Sequence, residues 1–421
     1  MPTARPPVFR FLHAADLHLD TPSEGLHGYP AEVAHQLRES SLQAFENLVE
    51  LALREEVAFV VLAGDLYDGS DRGARAELAV RRGLSRLADA GIRSFIAHGN
   101  HDPVEQGWST VRSWPSSITV FHPGDPQVVT FTVDGVTVAV HGVSYATRET
   151  RDNLARAFHR DPAAEVQVGV LHANVDGQIG HDPYAPCSVA DLVATGLDYW
   201  ALGHIHRRAV LHEAKPWIVY PGNLQGRSPK PSECAAKGAL IVQVDGSIVG
   251  VPRFVPLDVL RFAAVTVPID DAEDLGQVDD LVREAAEELR AEAEGRPIIL
   301  RVRLTGRGPA HALLRGDGRA QLLEALRTEG LARSPFLWVD RLDDQTRPDL
   351  DLDLLSAADD FVGNALRRID ELVTGPDLGE ELSSQLPRLP ADVTFPDLAD
   401  PELLDRAHLL AVDLLTGGEP R

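Results

Sequence analysis

Acids, amides and imidazoles recur at the ends of apolar runs along this 421-residue chain. FRFLHAADLH carries Asp16 and His18, FVVLAGDLYD carries Asp65 and Asp68, and SFIAHGNHD carries Asn100, His101 and Asp102. VGVLHAN then supplies His172, and YWALGHIH supplies His204 and His206. One apolar run followed by one Asp proves little, whereas five converging on N and O ligands suggest a binuclear metal centre. If the local backbone is extended, Asp16 and His18 point to the same side and can close on one cation, and the GH-x-H pair repeats that geometry. Asp65 has two oxygens with which to bridge that cation to a second one. Asn100 can lend its amide oxygen to the second ion, while His172, His204 and His206 complete the two coordination spheres. No cysteine stands at these positions, so Mn²⁺ or Fe²⁺ suits the donors better than a thiolate-bound structural zinc, with catalytic zinc left open.

The charge balance points to a phosphate substrate. Two divalent ions contribute four positive charges, against three negative ones from Asp16, Asp65 and a bridging hydroxide. The remaining positive charge would attract a phosphodiester and stabilise charge on a transferring phosphoryl group. Asn100 fits that balance, because another carboxylate would cancel it. Neither a Walker A pattern nor a complete GxGxxG loop occurs, so ATP and dinucleotides are not indicated.

Positioning these residues requires strands. FVVLA, at 59–63, is apolar without alternation, as expected of a strand buried on both faces, and places Asp65 where open α/β sheets hold ligands. Further strands are expected at 8–14, 92–97, 118–121, 127–133, 136–141, 166–171, 197–202, 208–212, 217–220, 239–244 and 248–255. Helices are expected near 39–55, 73–90 and 151–159. The mixture of crossover helices and later hairpins fits a layered α/β/β/α core, residues 1–258. A smaller α/β domain follows at 259–345, and an acidic linker with a helical appendage at 346–421. The appendage shows apolar stripes over 357–372 and 401–415, suited equally to packing on its own domain or to a partner surface.

The formal charge of −24 argues against a chain that wraps nucleic acid with a basic face. More than half of the excess lies beyond Leu337, so the front domain is less acidic than the total suggests. The two cysteines, Cys187 and Cys234, form no zinc knuckle or CxxC pair. The amino terminus lacks a signal-peptide segment and no run reaches membrane-spanning length, which makes a cytoplasmic location the expectation.

The ordered series D-x-H, GD, GNHD, H and GH-x-H resembles the calcineurin-like metallophosphoesterases, and the full arrangement is similar to their SbcD-type DNA-repair exonucleases. The resemblance implies one ion held by Asp16, His18, Asp65 and His206, and another by Asp65, Asn100, His172 and His204. His101 matches the family histidine that assists transition-state stabilisation or leaving-group protonation, with Asp102 beside it to orient the ring. Asp68 is read as an organiser of that shell or as a loop cap. His98, before the turn, has a packing or supporting role. His141, in HGVSY, faces substrate or makes a structural hydrogen bond. The segment YPGNLQGR resembles a substrate-side loop of the family, with Tyr220 positioning a sugar, or simply packed, and Arg227 contacting phosphate.

At the level of function the resemblance implies a metal-dependent exonuclease acting on DNA with 3′ to 5′ polarity in repair. The small α/β domain corresponds to a substrate cap, and an SMC-like ABC ATPase partner and a homodimer are implied, nucleoid-associated in the cytoplasm. The alternatives are a nucleotide or small-molecule metallophosphodiesterase and a catalytically inactive metal-binding adaptor.

Overall fold

The computed structural model describes residues 7–21, 28–69, 73–105, 113–178, 182–348 and 352–374, with 403, 410, 411, 414 and 415 beyond them. The strands of the first part, in chain order, are β1 (Val8–Ala14), β2 (Phe59–Ala63), β3 (Arg93–Ala97), β4 (Ile118–Val120), β5 (Gln127–Val133), β6 (Val136–Gly142) and β7 (Val166–His172). They continue as β8 (Tyr199–Gly203), β9 (Ala209–Glu213), β10 (Trp217–Tyr220), β11 (Gly238–Asp245), β12 (Ile248–Val249) and β13 (Arg253–Pro256). Among the described residues the helices that accompany them are α1 (Ala31–Arg54), α2 (Ala74–Asp89) and α3 (Val189–Ala194).

Two sheets result. One has the order β12-β11-β1-β2-β3-β4, with β13 also on β11, and the other the order β5-β6-β7-β8-β10-β9. β1 through β4 pair in parallel, as do β6, β7, β8 and β10. Side chains alternate across each strand, and the alternation assigns the layers. Phe59 and Val61 of β2 face a core shared with Val138, Val168, Val170 and Tyr199 of the second sheet. Val60 and Leu62 turn the other way, onto Phe45, Leu48, Val80 and Leu84 of α1 and α2. The outer face of the second sheet presents Trp200 and Leu202 to Phe158 and to Leu192 of α3. Between the sheets Phe11 stacks on Phe59 at 4.8 Å and takes Tyr199 edge-on at 5.1 Å. Burying one such side chain contributes about 1.5–3 kcal/mol, so this layer holds the two sheets together.

The expected layered α/β/β/α class is therefore the observed one. Local differences have local causes. α1 begins at Ala31 rather than near 39, because Pro30 leads into it and Val33 and Ala34 extend its buried stripe. The helix expected at 151–159 is only a 3₁₀ turn, Leu154–Ala157; Phe158 is extended and buried, ending the turn. The 248–255 run splits into β12 and β13 at Gly250–Pro252. α3 is an addition, although its Ser188/Asp191 capping box stands in the sequence as S-V-A-D.

The chain divides into two compact units, one of residues 1–264, 289–300 and 333–338, the other of 265–288, 301–332 and 339–421. The latter part of the chain contributes a three-stranded sheet, β14 (Arg261–Pro268), β15 (Ile298–Thr305) and β16 (Leu337–Asp344), in that order. Its helices are α4 (Leu275–Glu292), α5 (Ala310–Leu314), α6 (Gly318–Ala332), α7 (Leu352–Ala357) and α8 (Phe361–Thr374). α4 buries Val278, Val282 and Ala286, one stripe at intervals of four. In place of one helix over 357–372, α7 and α8 are separate; α8 buries Leu366 and leaves Phe361 exposed. The helix expected at 401–415 lies largely outside the described residues. Among the described residues no helix is long and apolar enough to cross a membrane.

Candidate metal centre

The carboxyl ends of β1, β2 and β3 meet those of β7 and β8, and every residue of the D-x-H, GD, GNHD, H and GH-x-H series lies there. Two glycines permit the approach. A Cβ on Gly203 would lie 1.8 Å from the Ala63 carbonyl oxygen, and one on Gly64 (φ +96°) 2.2 Å from His172 Nδ1. The bare backbone at these two points lets the His172 ring enter between the sheets.

The backbone at the ligand positions is not extended as the sequence suggests. Asp16, His18 and Asp65 are left-handed, with φ of 52°, 44° and 50°, and His204 has φ 102°. Non-glycine residues adopt this region at a cost, and it concentrates at functional sites. Local hydrogen bonds hold it: Asp16 N–H donates to Gly64 O at 3.1 Å, His18 N–H to Asp65 O at 3.0 Å, and His204 N–H to Asp16 Oδ1 at 2.9 Å. Asp16 and His18 converge through these turns and not through period-two alternation.

Among the described residues the donors form the groups Asp16/His18/His206, buried but for the partly exposed His206, and Asp16/Asp65/His172, fully buried, with His18/Asp68/His101 beside them. In the first, Glu233 Oε1 accepts from His206 Nδ1–H at 2.6 Å, which leaves the His206 lone pair on Nε2. That atom lies 3.0 Å from His18 Nε2, and His18 Nδ1 is buried with no hydrogen-bond partner. A proton between the two Nε2 atoms serves one ring at the other's expense, whereas a cation takes both lone pairs. In the second group His172 Nδ1–H donates to Ala63 O at 3.0 Å, and Nε2 faces Asn100 Oδ1 at 3.0 Å and Asp65 Oδ2 at 3.3 Å. Asp65 Oδ2 also lies 3.8 Å from His18 Nε2, between the groups. His204 packs against His172 with ring centroids 5.2 Å apart; its Nε2–H donates to Asp182 O at 3.0 Å, so its lone pair is on Nδ1. The two rings of GH-x-H thus offer different nitrogens. The carboxylates and imidazoles of the two groups fit divalent cations, whereas His204 falls in neither group.

The electrostatics agree. Burial pushes the Asp16 carboxyl up and the His18 ring well down. Burial also opposes charge on Asp65 and His172, yet their mutual attraction outweighs it, holding Asp65 well below the carboxylate range and lifting His172 to about 9. Without an ion, His172 therefore carries a proton at neutral pH on the nitrogen that a cation would use. Metal affinity is expected to rise with pH up to about 9, by about tenfold per unit for one displaced proton. The metal-free fold shifts oppositely: His172 is raised above its unfolded value of 6.5, so its stabilisation is complete below 6.5 and lost as pH rises through about 9. The gap in melting temperature between Mn²⁺-loaded and chelated protein should widen from pH 6.5 to 9; a constant gap would exclude this proton exchange.

His101 is partly buried, and its partner is Asp68, not the expected Asp102. Asp68 Oδ1 accepts from His101 Nδ1–H at 2.5 Å, and Asp68 Oδ2 meets the Arg227 guanidinium. Burial raises and these partners lower the Asp68 carboxyl, leaving it below the carboxylate range; His101 is lifted despite its own burial. Asp102 accepts instead from Leu66 N–H at 2.9 Å and Gly99 N–H at 2.8 Å and pairs with His98 Nδ1 at 2.9 Å. Following His101 directly, it turns back into its own loop as a brace. The Arg227 cation makes the nearby His18/Asp68/His101 grouping unfavourable for a further ion.

Two candidate substrate contacts take the structural alternative read for them. Tyr220 is fully buried, its O–H donating to Ala173 O at 2.7 Å and accepting from Val175 N–H at 3.0 Å. His141 is buried on β6 with Nε2 on Gln167 Oε1 at 2.9 Å, its structural alternative. Arg227, expected on phosphate, lies on Asp68. Sequence reasoning passed over Glu233, which burial raises but His206, Lys237 and Asn223 bring down to about 2. The SPKPSECAAKG stretch around it has no strand or helix signal.

A fold of two apposed sheets with paired buried acids, imidazoles and an amide at their strand ends defines a class, and the chain belongs to the calcineurin-like phosphoesterase family, which it matches over residues 9–208. Such phosphoesterases hydrolyse phosphoesters at a dimetal centre. Residues 262–347 match the middle domain of the metallophosphoesterase YhaO. The YhaO metallophosphoesterase of Bacillus subtilis (strain 168) is 34% identical over 362 residues, covering 86% of each chain. The DNA double-strand break repair protein Mre11 of Sulfurisphaera tokodaii is 24% identical over 61% of this chain and 65% of its own. Mre11 of Aeropyrum pernix is 30% identical over 51% of this chain and 53% of its own. The chain spans only about half to two-thirds of these Mre11 proteins.

Proposed function

We propose that this phosphoesterase is a metal-dependent DNA nuclease, an exonuclease of 3′ to 5′ polarity acting in repair, with Mn²⁺ as its working ion. The observation that carries the chemistry is the convergence of the two lone-pair clusters beside the Asp68–His101 pair. Asp16, His18, Asp65 and His206 would hold one ion, and Asp65, Asn100, His172 and His204 the other. When bound, the ions polarise the phosphoryl oxygens and lower the pKa of water. The chain's own residues do the rest. Asp68, held anionic by Arg227, fixes the His101 proton on Nδ1 and favours the charged ring. Protonated His101 then donates from Nε2 to the departing sugar oxygen.

DNA as substrate is supported by the ordered motif series and by the repair function in the names of the Mre11 relatives. The net charge of −24 supports a division of labour in which an SMC-like ABC ATPase supplies much of the DNA-binding surface. The middle domain serves as the cap and the acidic carboxyl-terminal region as the attachment to that partner.

The test is cleavage of 3′-labelled and 5′-labelled single-stranded and duplex DNA by purified protein with Mn²⁺, with a chelated control. Progressive shortening from the 3′ end is expected. Turnover of free nucleotides or small phosphodiesters with no DNA cleavage, even with the cognate ATPase, would replace DNA with a small substrate. No turnover of any phosphoester would leave a metal-binding adaptor.

A further inference from the structure

We propose that Glu233 is a positioning residue that selects the metal-binding tautomer of His206. The inference rests on the metal centre described above. Glu233 is 7% exposed, and both its oxygens are committed. Oε1 accepts from His206 Nδ1–H at 2.6 Å; Oε2 accepts from Asn223 Nδ2 at 2.7 Å and from Arg227 N–H at 3.1 Å. A carboxylate can only accept, so the imidazole must place its proton on Nδ1 and its lone pair on Nε2, the atom 3.0 Å from His18 Nε2.

The same segment grips His206 from behind. Lys237 Nζ donates to the His206 carbonyl at 2.7 Å, and Asn223 N–H donates to it at 3.3 Å. Arg227, six residues before Glu233, reaches Asp68 and through it His101. Residues 223–237 therefore set the tautomer of a metal ligand at one end of the site and restrain the His101 partner at the other.

Glu233→Gln separates this role from simple packing. A glutamine has one acceptor and one donor end. The side facing Asn223 Nδ2 and Arg227 N–H meets two donors, so the amide oxygen belongs there and the NH₂ group turns to His206 Nδ1. His206 must then accept at Nδ1 and carry its proton on Nε2, where a cation should bind. In Glu233→Ala neither tautomer is imposed. A packing role predicts that the nearly isosteric glutamine outperforms alanine; tautomer selection predicts the reverse.

The experiment is Mn²⁺ titration of the full chain, wild type, Glu233→Gln, Glu233→Ala and His206→Ala, with ¹⁵N imidazole shifts of the metal-free proteins and thermal unfolding in parallel. Glu233→Gln is expected to melt near wild type, to show His206 protonated on Nε2, and to bind the weaker of its ions 10–100-fold less tightly than wild type, the range for losing such a support. Glu233→Ala should lie between them. Glutamine binding as tightly as wild type, or better than alanine, overturns the proposal, as does an unchanged His206 tautomer. If alanine does not fold, the glutamine protein alone decides through its tautomer and affinity. A wild type that binds no Mn²⁺ would instead refute the metal centre.

Discussion

Replacing Asp65 by alanine is expected to abolish binding of both ions and to lower phosphoester hydrolysis by roughly a thousandfold or more, the scale of losing a principal electrostatic contributor. Asp65 Oδ2 lies 3.3 Å from His172 Nε2 and 3.8 Å from His18 Nε2, so its loss removes an oxygen of the second donor group that also stands beside the first. Its Oδ1 accepts from the His101 N–H at 2.9 Å, so the His101 loop also loses an anchor. The substitution has a signature independent of activity. Asp65 is the principal partner that lifts the buried His172 ring to about 9, and without it burial should bring the ring down. Metal analysis, together with titration of His172 in the metal-free variant, checks both halves. Two ions retained at wild-type affinity would remove Asp65 from its shared position, and a His172 value still near 9 would mean that Asp16 supplies the raising field.

The second large effect is expected at His101. His101→Ala should keep both ions and lower kcat by about 10²- to 10⁴-fold, the usual contribution of one positioned acid. Asp68→Asn should be milder and different in kind. An asparagine oxygen can still accept from Nδ1–H, so the tautomer survives, but the charge that favours protonated His101 is gone. With His101 as the proposed acid, turnover is expected to need the protonated ring and to fall as pH rises through its pKa. Weakening that pKa moves the alkaline limb of the rate profile to lower pH. Rates across pH for wild type, His101→Ala and Asp68→Asn, with metal content measured alongside, decide the matter. Unchanged kcat in His101→Ala removes the ring from the reaction. An unmoved limb in Asp68→Asn makes Asp68 a mere tether.

Asp68 also shows where adjacency in sequence misleads. Asp102 follows His101 directly, but the tight GNHD turn folds its carboxylate back onto Leu66 N–H, Gly99 N–H and His98. The acid that reaches the His101 ring comes from the end of another strand, 33 residues earlier. Tyr220 and His141, each open to two readings in the sequence, are decided by a related effect. Both have polar tips suited to a substrate, and both strands turn those tips inward to buried partners on neighbouring elements.

The residues that would close on cations were legible because each stands at the carboxyl end of a largely apolar strand, and parallel strands in α/β folds present their carboxyl ends together. The layered class was legible too, since β2 is apolar on both faces and crossover helices give way to hairpins later in the chain. What needed tertiary structure was every relation between segments far apart in the chain. Left-handed turns, not extended strands, bring Asp16 to His18. The proximity of Gly203 and Gly64 to the opposite strand ends makes room for His172. Glu233 reaches His206 from a segment without periodicity. Hydrogen bonding selects the nitrogen that His172, His204 and His206 present, and those bonds exist only once the chain has packed. Sequence by itself determined which donors are available and at which strand ends they stand; folding decided their partners, because tautomer, orientation and charge depend on neighbours that local spacing does not encode.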